Sequence, residues 1–289
     1  MGLPVVVDVR DEHVAPGVVD RVFDWLRFVD ATFSPYRPDS EISRLDRGEL
    51  ALRDAHRHVA EVVERCEQLR LLTGGWFDAR APLGGPLDPS GLVKGWAVDR
   101  AAALLEAGGA HRFCVNAGGD LRLSGAPGPR ARWRVGIQHP ERRRRVAAVL
   151  TLTDAAVATS GTYERGAHII DPHTGEPPSG TRSVTVVGPD LATADAFATA
   201  AFAMGEDGPA WTAGLPGYDA MTILDGGRVL CAPGLLRHCE GGSVAASLAS
   251  RAAQAPSAPG SAGTSTACCR SASSGTRSRA RSWVEARTT

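Results

Sequence analysis

The sequence predicts an α+β fold, because helical and strand-like periodicities occupy separate parts of its 289 residues. Apolar residues recur at helical spacing through much of residues 18–105 and again in 192–204, whereas residues 112–187 show short apolar runs separated by turns. Helices and strands do not alternate regularly, as they would in a doubly wound sheet. We therefore expect mixed or antiparallel sheets flanked by helices.

The N-terminal part is predicted to contain one strand and three helices. Residues 3–9 are rich in Val and alternate, which indicates a strand, and residues 18–29 have the apolar spacing of an amphipathic helix. Two prolines favour a loop over residues 33–45. Two further helices are predicted over 54–72 and 93–105.

Short strands follow, together with one Ala-rich helix. The predicted strands span residues 112–115, 121–123, 133–137, 147–152 and 184–187. An Ala-rich helix is predicted over 192–204, and 221–224 should form a hairpin with 229–231. These elements are expected to make residues 1–242 one domain.

The composition changes after this domain. Residues 243–289 contain twelve Ala and eleven Ser, with six Arg against one Glu, which predicts a low-complexity, disordered tail.

Over the whole chain, Lys plus Arg and Asp plus Glu both number 32, so no global charge attracts nucleic acid or a membrane. The six Cys lack metal-ligand spacing and are expected to be unpaired thiols in a reducing compartment.

The sequence also bears on localisation. No stretch approaches the ~20 apolar residues of a membrane span, and the start lacks the basic and apolar regions of a signal peptide. As written, the chain is expected in the cytoplasm without a membrane span. A start codon farther upstream would leave room for an export signal.

Asp195 and Thr199 lie four residues apart in the Ala-rich helix, so they share one helix face. A carboxylate and a hydroxyl among small residues offer hard oxygen ligands of the kind that Mg²⁺ takes. In the alternative interpretation, Asp195 only interacts favourably with the helix dipole and Thr199 only packs.

Lys94 is the single lysine in a chain with 31 arginines, and it follows Asp88 at a Gly-containing turn into a helix. Such a turn can place backbone groups and one ammonium beside a phosphate, although the spacing of a P-loop is missing. A routine helix start with a surface lysine is the alternative.

Gly118 and Gly119 follow a predicted strand and would permit close approach of a ligand to the backbone. In the alternative interpretation, these glycines only form a tight turn between two strands.

The polar segment of residues 158–177 concentrates the remaining candidate groups. Its His168 can act as a general base near neutral pH, although a lone His is more often structural. Thr159, Ser160, Tyr163 and Arg165 lie within a few residues of it and are suited to contact a flavin or a phosphate.

Taken in order, these motifs resemble the ApbE family of FAD:protein FMN transferases over about residues 1–230. Each segment alone is a weak signal, but the ordered set is specific. The matching segments are Met1–Gly2, Tyr36–Ser43, Gly75–Asp78, Lys94–Gly95, Asn116–Gly119, Thr159–Gly161, His168–Pro172, Thr174–Gly175 and Ala194–Asp195 with Thr199.

The resemblance implies an ApbE-like, T-fold-like domain that transfers FMN from FAD to a Thr hydroxyl of an acceptor protein. A phosphoester forms and AMP leaves. By position, Asp195 and Thr199 resemble the side-chain ligands of Mg²⁺. Gly91 resembles its backbone-carbonyl ligand, and His168 resembles the base that activates the acceptor. The residues implied in FAD binding are Met1, Tyr36, Phe77, Asp78, Asp88, Lys94, Thr159 and Ser160.

The resemblance also implies a partner, an acceptor flavoprotein whose Thr lies in a motif like Asp-x-x-(Ser/Thr)-Gly-Ala-Thr. Two of the departures from the family pattern concern the site. Only fifteen residues separate Asp78 from Lys94, where many members have a longer insertion, so the adenine side of the site is expected to be more open. Leu3 stands where the family usually has Thr.

Two other functions stay open at the level of sequence. One is a Mg²⁺-dependent FAD pyrophosphatase, which would use water in place of Thr and give FMN and AMP. The other is a FAD-binding protein without turnover, which the retention of His168, Asp195 and Thr199 disfavours.

Overall fold

The structure, a computed structural model, describes residues 3–81, 84–142, 144–161 and 169–240 and the backbone of 284–286. Its helices are α1 (Val18–Phe33), α2 (Glu41–Asp46), α3 (Arg57–Leu72), α4 (Ser90–Ala107), α5 (Leu191–Ala203) and α6 (Gly208–Thr212). Its strands are β1 (Val5–Val9), β2 (Phe113–Ala117), β3 (Asp120–Ser124), β4 (Trp133–Gln138), β5 (Val146–Leu152), β6 (Ala156–Gly161), β7 (Thr181–Gly188), β8 (Asp219–Leu224), β9 (Val229–Cys231) and β10 (Val284–Ala286). Within these ranges, every helix is too short or too polar to cross a bilayer.

The described strands form two sheets. Seven of them make an antiparallel sheet in the order β1-β2-β3-β6-β7-β8-β9. In the smaller sheet β4 pairs antiparallel with β5, and β10 lies parallel to β4. The predicted hairpin is present, since β8 pairs with β9 with Thr222 opposite Leu230. Helices segregated from mostly antiparallel strands confirm the α+β prediction.

Side-chain alternation along the strands creates two cores. On β2, Phe113 and Val115 are buried against the helices, whereas Cys114 is buried against the smaller sheet. Successive strand residues point to opposite faces, so the large sheet has an apolar core on each side. Trp133 and Leu150 fill the core between the two sheets. The large sheet therefore lies between a helical layer and the small sheet.

The crossing of α4 and α5 positions the residues of interest. A Cβ at Gly95 of α4 would lie only 2.4 Å from the carbonyl oxygen of Leu191 at the start of α5, so the two backbones touch there. Asp99 of α4 fixes the same end of α5, because its carboxylate accepts the N–H groups of Leu191 and Ala192 at 2.9 and 2.8 Å. The facing turns of the two helices are thereby held close together.

Capping residues explain where helix boundaries differ from prediction. The short α2 forms inside the predicted loop, because Ser40 Oγ accepts the N–H of Ser43 at 3.1 Å and so caps the helix. Helix α3 begins three residues later than predicted, where the His56 ring accepts the N–H of His58 at 3.2 Å. The domain boundary and the disorder predicted for residues 243–289 stay predictions, since the structure describes little of the chain beyond residue 240.

Candidate functional site

Three charged side chains from α4, β3 and α5 meet at the α4–α5 crossing. The Lys94 ammonium forms an ion pair with Asp120 Oδ2 and lies 3.4 Å from Asp195 Oδ1. Asp120 and Asp195 are buried, at 0% and 3% exposure, whereas 23% of the Lys94 side chain is exposed. The two carboxylates are therefore enclosed, and the lysine is the member of the cluster that reaches solvent.

The charges in this cluster depend on one another. Burial raises the pKa of Asp195 above its ordinary value, the Lys94 ammonium opposes this shift, and the charge of Asp120 adds to it. Burial disfavours the ammonium of Lys94, but the carboxylates of Asp120 and Asp195 outweigh that effect and raise its pKa. With both carboxylates ionised, the three groups carry one excess negative charge, which a bound cation would neutralise.

The surroundings of Asp195 fit a small divalent cation. Asp195 Oδ2 is buried and makes no hydrogen bond of normal geometry with the described residues, although buried carboxylate oxygens usually have a partner. One turn along α5, Thr199 Oγ1 lies 3.5 Å from Ser160 Oγ of β6. A Cβ at Gly91 would lie 3.5 Å from the same Thr199 oxygen, so the α4 backbone approaches it. This set contains a carboxylate and a hydroxyl, both hard oxygen donors suited to Mg²⁺.

Such a cation would complete its coordination shell with waters or with a ligand from outside the protein. In the described part of the chain, no three His, Cys, Asp or Glu side chains converge on one point. Mg²⁺ characteristically uses one or two carboxylates and completes its octahedral shell with waters and substrate phosphates. A site with a single carboxylate is therefore compatible with Mg²⁺ bound together with a phosphorylated ligand.

Adjacent residues of β6 make different contacts. The Thr159 N–H donates to Asp120 Oδ1 at 2.9 Å, and the Thr159 hydroxyl is hydrogen bonded to the Thr185 hydroxyl at 2.9 Å. The Ser160 hydroxyl instead lies beside Thr199. Of these two predicted FAD-binding residues, Ser160 adjoins the candidate cation site, while the Thr159 hydroxyl has a partner within the sheet.

The other predicted FAD-binding residues lie at different distances from the cluster. Phe77 is buried, and its ring lies 3.1 Å from the Cβ position of Gly91. Because Gly91 also approaches Thr199, Phe77 lies close to the candidate cation site. Asp88 is exposed, and its Oδ1 accepts the N–H of the first α4 residue at 2.9 Å. Asp78 lines a cavity of about 410 Å³. Tyr36 is 87% exposed, and no contact among the described residues joins its ring to the cluster.

Met1 and His168 lie outside the described residues, so their predicted roles stay predictions. The turn that follows His168 nevertheless packs beside the segment that carries Asp78. The ring centroids of His173 and Trp76 are 4.4 Å apart, and His173 and Asp78 line the same cavity. Two motifs that are almost a hundred residues apart in the sequence are therefore adjacent in space.

The motifs do not single out two aspartates that the structure makes prominent, the buried Asp120 and the partly buried Asp99. For Asp120 a signal exists, because the only lysine needs a carboxylate partner once it is largely buried, and Asp120 directly follows the two glycines of the β2–β3 turn. For Asp99 no such signal exists, since its partners Leu191 and Ala192 lie more than ninety residues along the chain.

Comparisons of the sequence and of the fold with known proteins agree on one family. The sequence profile of the ApbE family matches residues 1–83 and 80–222. The chain is 38% identical over 131 residues to the FAD:protein FMN transferase of Vibrio cholerae and 38% identical over 168 residues to that of Rhodobacter capsulatus. These matches cover 42% and 54% of this chain but 39% and 32% of the two relatives, so the chain spans well under half the length of either. The solved structure of the flavin transferase ApbE from Vibrio cholerae has a TM-score of 0.72 at 26% identity, covering 82% of this chain and 96% of that one.

Proposed function

Because this chain belongs to the ApbE family, we propose that it is a Mg²⁺-dependent FAD:protein FMN transferase. The observation that carries the proposal is the environment of Asp195. One of its oxygens lies near the Lys94 ammonium, and the other is buried without a hydrogen bond of normal geometry to the described residues. An oxygen of this kind can hold a divalent cation next to a diphosphate.

In the proposed reaction, a Thr hydroxyl of the acceptor protein attacks the phosphorus of the FMN half of FAD. The Thr oxygen forms a bond to that phosphorus, and the bond from this phosphorus to the oxygen that bridges the diphosphate breaks. AMP leaves with the bridging oxygen, and the Thr proton passes to a base. Negative charge grows on the oxygens of both phosphates, so the protein has to neutralise charge there and position the reactants in line.

Charge neutralisation is assigned to residues at the helix crossing. Asp195, Thr199 and the carbonyl of Gly91 would hold Mg²⁺, which when bound neutralises the diphosphate and polarises its oxygens. Lys94 supplies a second positive charge, since its side chain is partly exposed and its ammonium, beside Asp195, can donate to a phosphate oxygen. Lys94 remains protonated at neutral pH because two carboxylates raise its pKa.

Proton transfer and flavin binding are assigned by the family resemblance and supported by adjacency. We assign His168 as the base, because a Thr hydroxyl is a weak nucleophile until a neighbouring group takes its proton. The turn after His168 packs beside Trp76 through His173, and His173 lines the same cavity as Asp78, which is proposed to bind FAD. The residues proposed to bind FAD are Met1, Tyr36, Phe77, Asp78, Asp88, Lys94, Thr159 and Ser160.

One incubation distinguishes this activity from its alternatives. The protein is mixed with FAD, Mg²⁺ and a peptide that carries the motif Asp-x-x-(Ser/Thr)-Gly-Ala-Thr, and the products are separated under denaturing conditions. A transferase gives a fluorescent peptide with its flavin attached at the last Thr, and AMP in equal amount. Free FMN with an unlabelled peptide would instead indicate a pyrophosphatase, and intact FAD would indicate a binding protein.

Two substitutions test the assigned residues. Asp195→Ala should abolish Mg²⁺-dependent transfer, and unchanged activity would refute the metal assignment. His168→Ala should lower kcat for transfer far more than it weakens FAD binding, because a base acts only during reaction. Equal losses in both would indicate that His168 is structural.

A further inference from the structure

We propose that Asp120 is a positioning residue that holds the Lys94 ammonium, so that the carboxylate of Asp195 remains available to a divalent cation. This inference rests on the proposed function for its biological meaning. Its physical content concerns three side chains and a cation, and it can be tested without FAD or an acceptor.

The placement of Asp120 supports such a role. Its side chain is completely buried at the start of β3, directly after the turn formed by Gly118 and Gly119. Its two oxygens have separate partners: Oδ1 accepts the Thr159 N–H at 2.9 Å, and Oδ2 pairs with Lys94 Nζ. The backbone bond from β6 fixes the carboxylate, so Asp120 is a rigid counter-charge for the lysine.

The lysine is shared unequally between its two carboxylates. The ion pair of Lys94 with Asp120 is shorter than its 3.4 Å contact with Asp195 Oδ1. An ammonium that is balanced mainly by Asp120 leaves the charge of Asp195 only partly compensated, and Asp195 Oδ2 is buried without a hydrogen bond of normal geometry to the described residues. A second cation is then favoured at Asp195 by both charge and geometry.

Removing the charge of Asp120 should reverse this arrangement. The ammonium of Lys94 would retain a single carboxylate neighbour, and in an environment of low polarity it would move onto Asp195. Lysine and the divalent cation would then compete for the same oxygens.

The alternative role for Asp120 is purely structural. In that case its bond to the Thr159 N–H only extends the pairing of β3 with β6.

The test measures Mn²⁺ binding to the whole chain without FAD, by electron paramagnetic resonance of free and bound Mn²⁺. Asp120→Asn keeps the size of the side chain and an acceptor for the Thr159 N–H but removes the charge. It should weaken Mn²⁺ binding by about 10–100-fold, as substitutions beside metal ligands usually do. Adding Lys94→Met to Asp120→Asn should restore most of the affinity, because the competing ammonium is gone.

One further variant keeps the proposal falsifiable if Asp120→Asn folds poorly, and another controls for a general effect on stability. Lys94→Met alone should bind Mn²⁺ at least as tightly as the wild type. Asp190→Asn, which alters the cap of α5 where Asp190 accepts the Thr193 N–H at 2.8 Å, should change the unfolding temperature but not the Mn²⁺ affinity.

Several results would overturn the inference: unchanged Mn²⁺ affinity in Asp120→Asn, no recovery in the double variant, or weaker binding in Lys94→Met. Failure of the proposed function would look different. If the wild type bound Mn²⁺ and followed the expected pattern across the variants but labelled no acceptor peptide, the transferase assignment would fall and the role of Asp120 would stand.

Discussion

Replacing Gly95 by Ala should separate the two helices that carry the site. The new Cβ would lie 2.4 Å from the Leu191 oxygen, 2.7 Å from the Leu191 carbonyl carbon and 2.8 Å from the Ala192 Cα. All three are backbone atoms, so no side-chain rotation relieves the clash. Asp99 also ties this end of α5 to α4. Ordinary contact begins near 3.4 Å, so α5 would have to move by roughly 1 Å.

Two opposing effects set the magnitude. Overpacking of this kind costs about 1–3 kcal/mol in the free energy of unfolding, whereas Ala in place of Gly inside a helix contributes up to about 1 kcal/mol in the other direction. We expect a net loss of about 1–2 kcal/mol. The same movement displaces Lys94 from Asp195, and a misplacement of about 1 Å at a reacting centre can lower the rate about 100-fold.

Urea unfolding gives the stability change, and the peptide-labelling assay gives the transfer rate. Gly128→Ala is the matched control, because a Cβ at Gly128 has no described atom within 4 Å, and this variant should match the wild type in both measurements. If Gly95→Ala were as stable as the wild type or more stable, and transferred FMN at the wild-type rate, the close helix crossing would not be what positions the site.

Two other predictions concern titrating groups. Burial raises the pKa of the Cys66 and Cys114 thiols to about 12. Iodoacetamide at pH 8 should therefore modify both thiols only after unfolding, as measured by peptide mass spectrometry. Rapid labelling of the native protein would contradict their burial. Burial also raises the pKa of Asp99 to about 6, although its bonds to the N–H groups of Leu191 and Ala192 favour the charged form. Between about pH 4 and 6 the Asp99 carboxyl is protonated in the folded state but ionised in the unfolded state. Asp99 therefore stabilises the folded state at low pH, and its contribution to the free energy of unfolding falls by at most about 3 kcal/mol as the pH rises through this range. Urea unfolding of the wild type and Asp99→Asn should therefore show the wild type losing stability relative to the variant over that range, and a constant difference would contradict the shift.

Periodicity and composition predicted the fold class well. The apolar spacing of residues 18–29 marks α1, and the Ala-rich run marks α5 almost to the residue, because each depends mainly on local sequence. The short α2 was not predictable from periodicity, because its six residues are too few to show an apolar repeat and follow closely after two prolines. Its formation depends on the N-cap from Ser40. Long helices with clear apolar periodicity were therefore predictable, whereas a short helix set by one capping residue was not.

The candidate site was predictable in part, and for a chemical reason. Asp195 and Thr199 share a helix face, and the lone Lys94 stands out by composition, but local sequence leaves a structural role open for all three, and only the family resemblance selects them. Their meeting with Asp120 depends on sheet order and on the α4–α5 crossing, which involve residues far apart in the chain. The exposure of Tyr36 likewise follows from tertiary packing and has no local signal.

The most direct test of the account asks whether a cation bound by Asp195 touches the diphosphate of FAD. Mn²⁺ is added to the protein with FAD, and electron–nuclear double resonance is used to detect coupling between the manganese electron spin and ³¹P. The account predicts bound Mn²⁺ with clear ³¹P coupling in the wild type, and loss of both in Asp195→Asn under the same conditions. Equal Mn²⁺ binding and equal coupling in Asp195→Asn would contradict it.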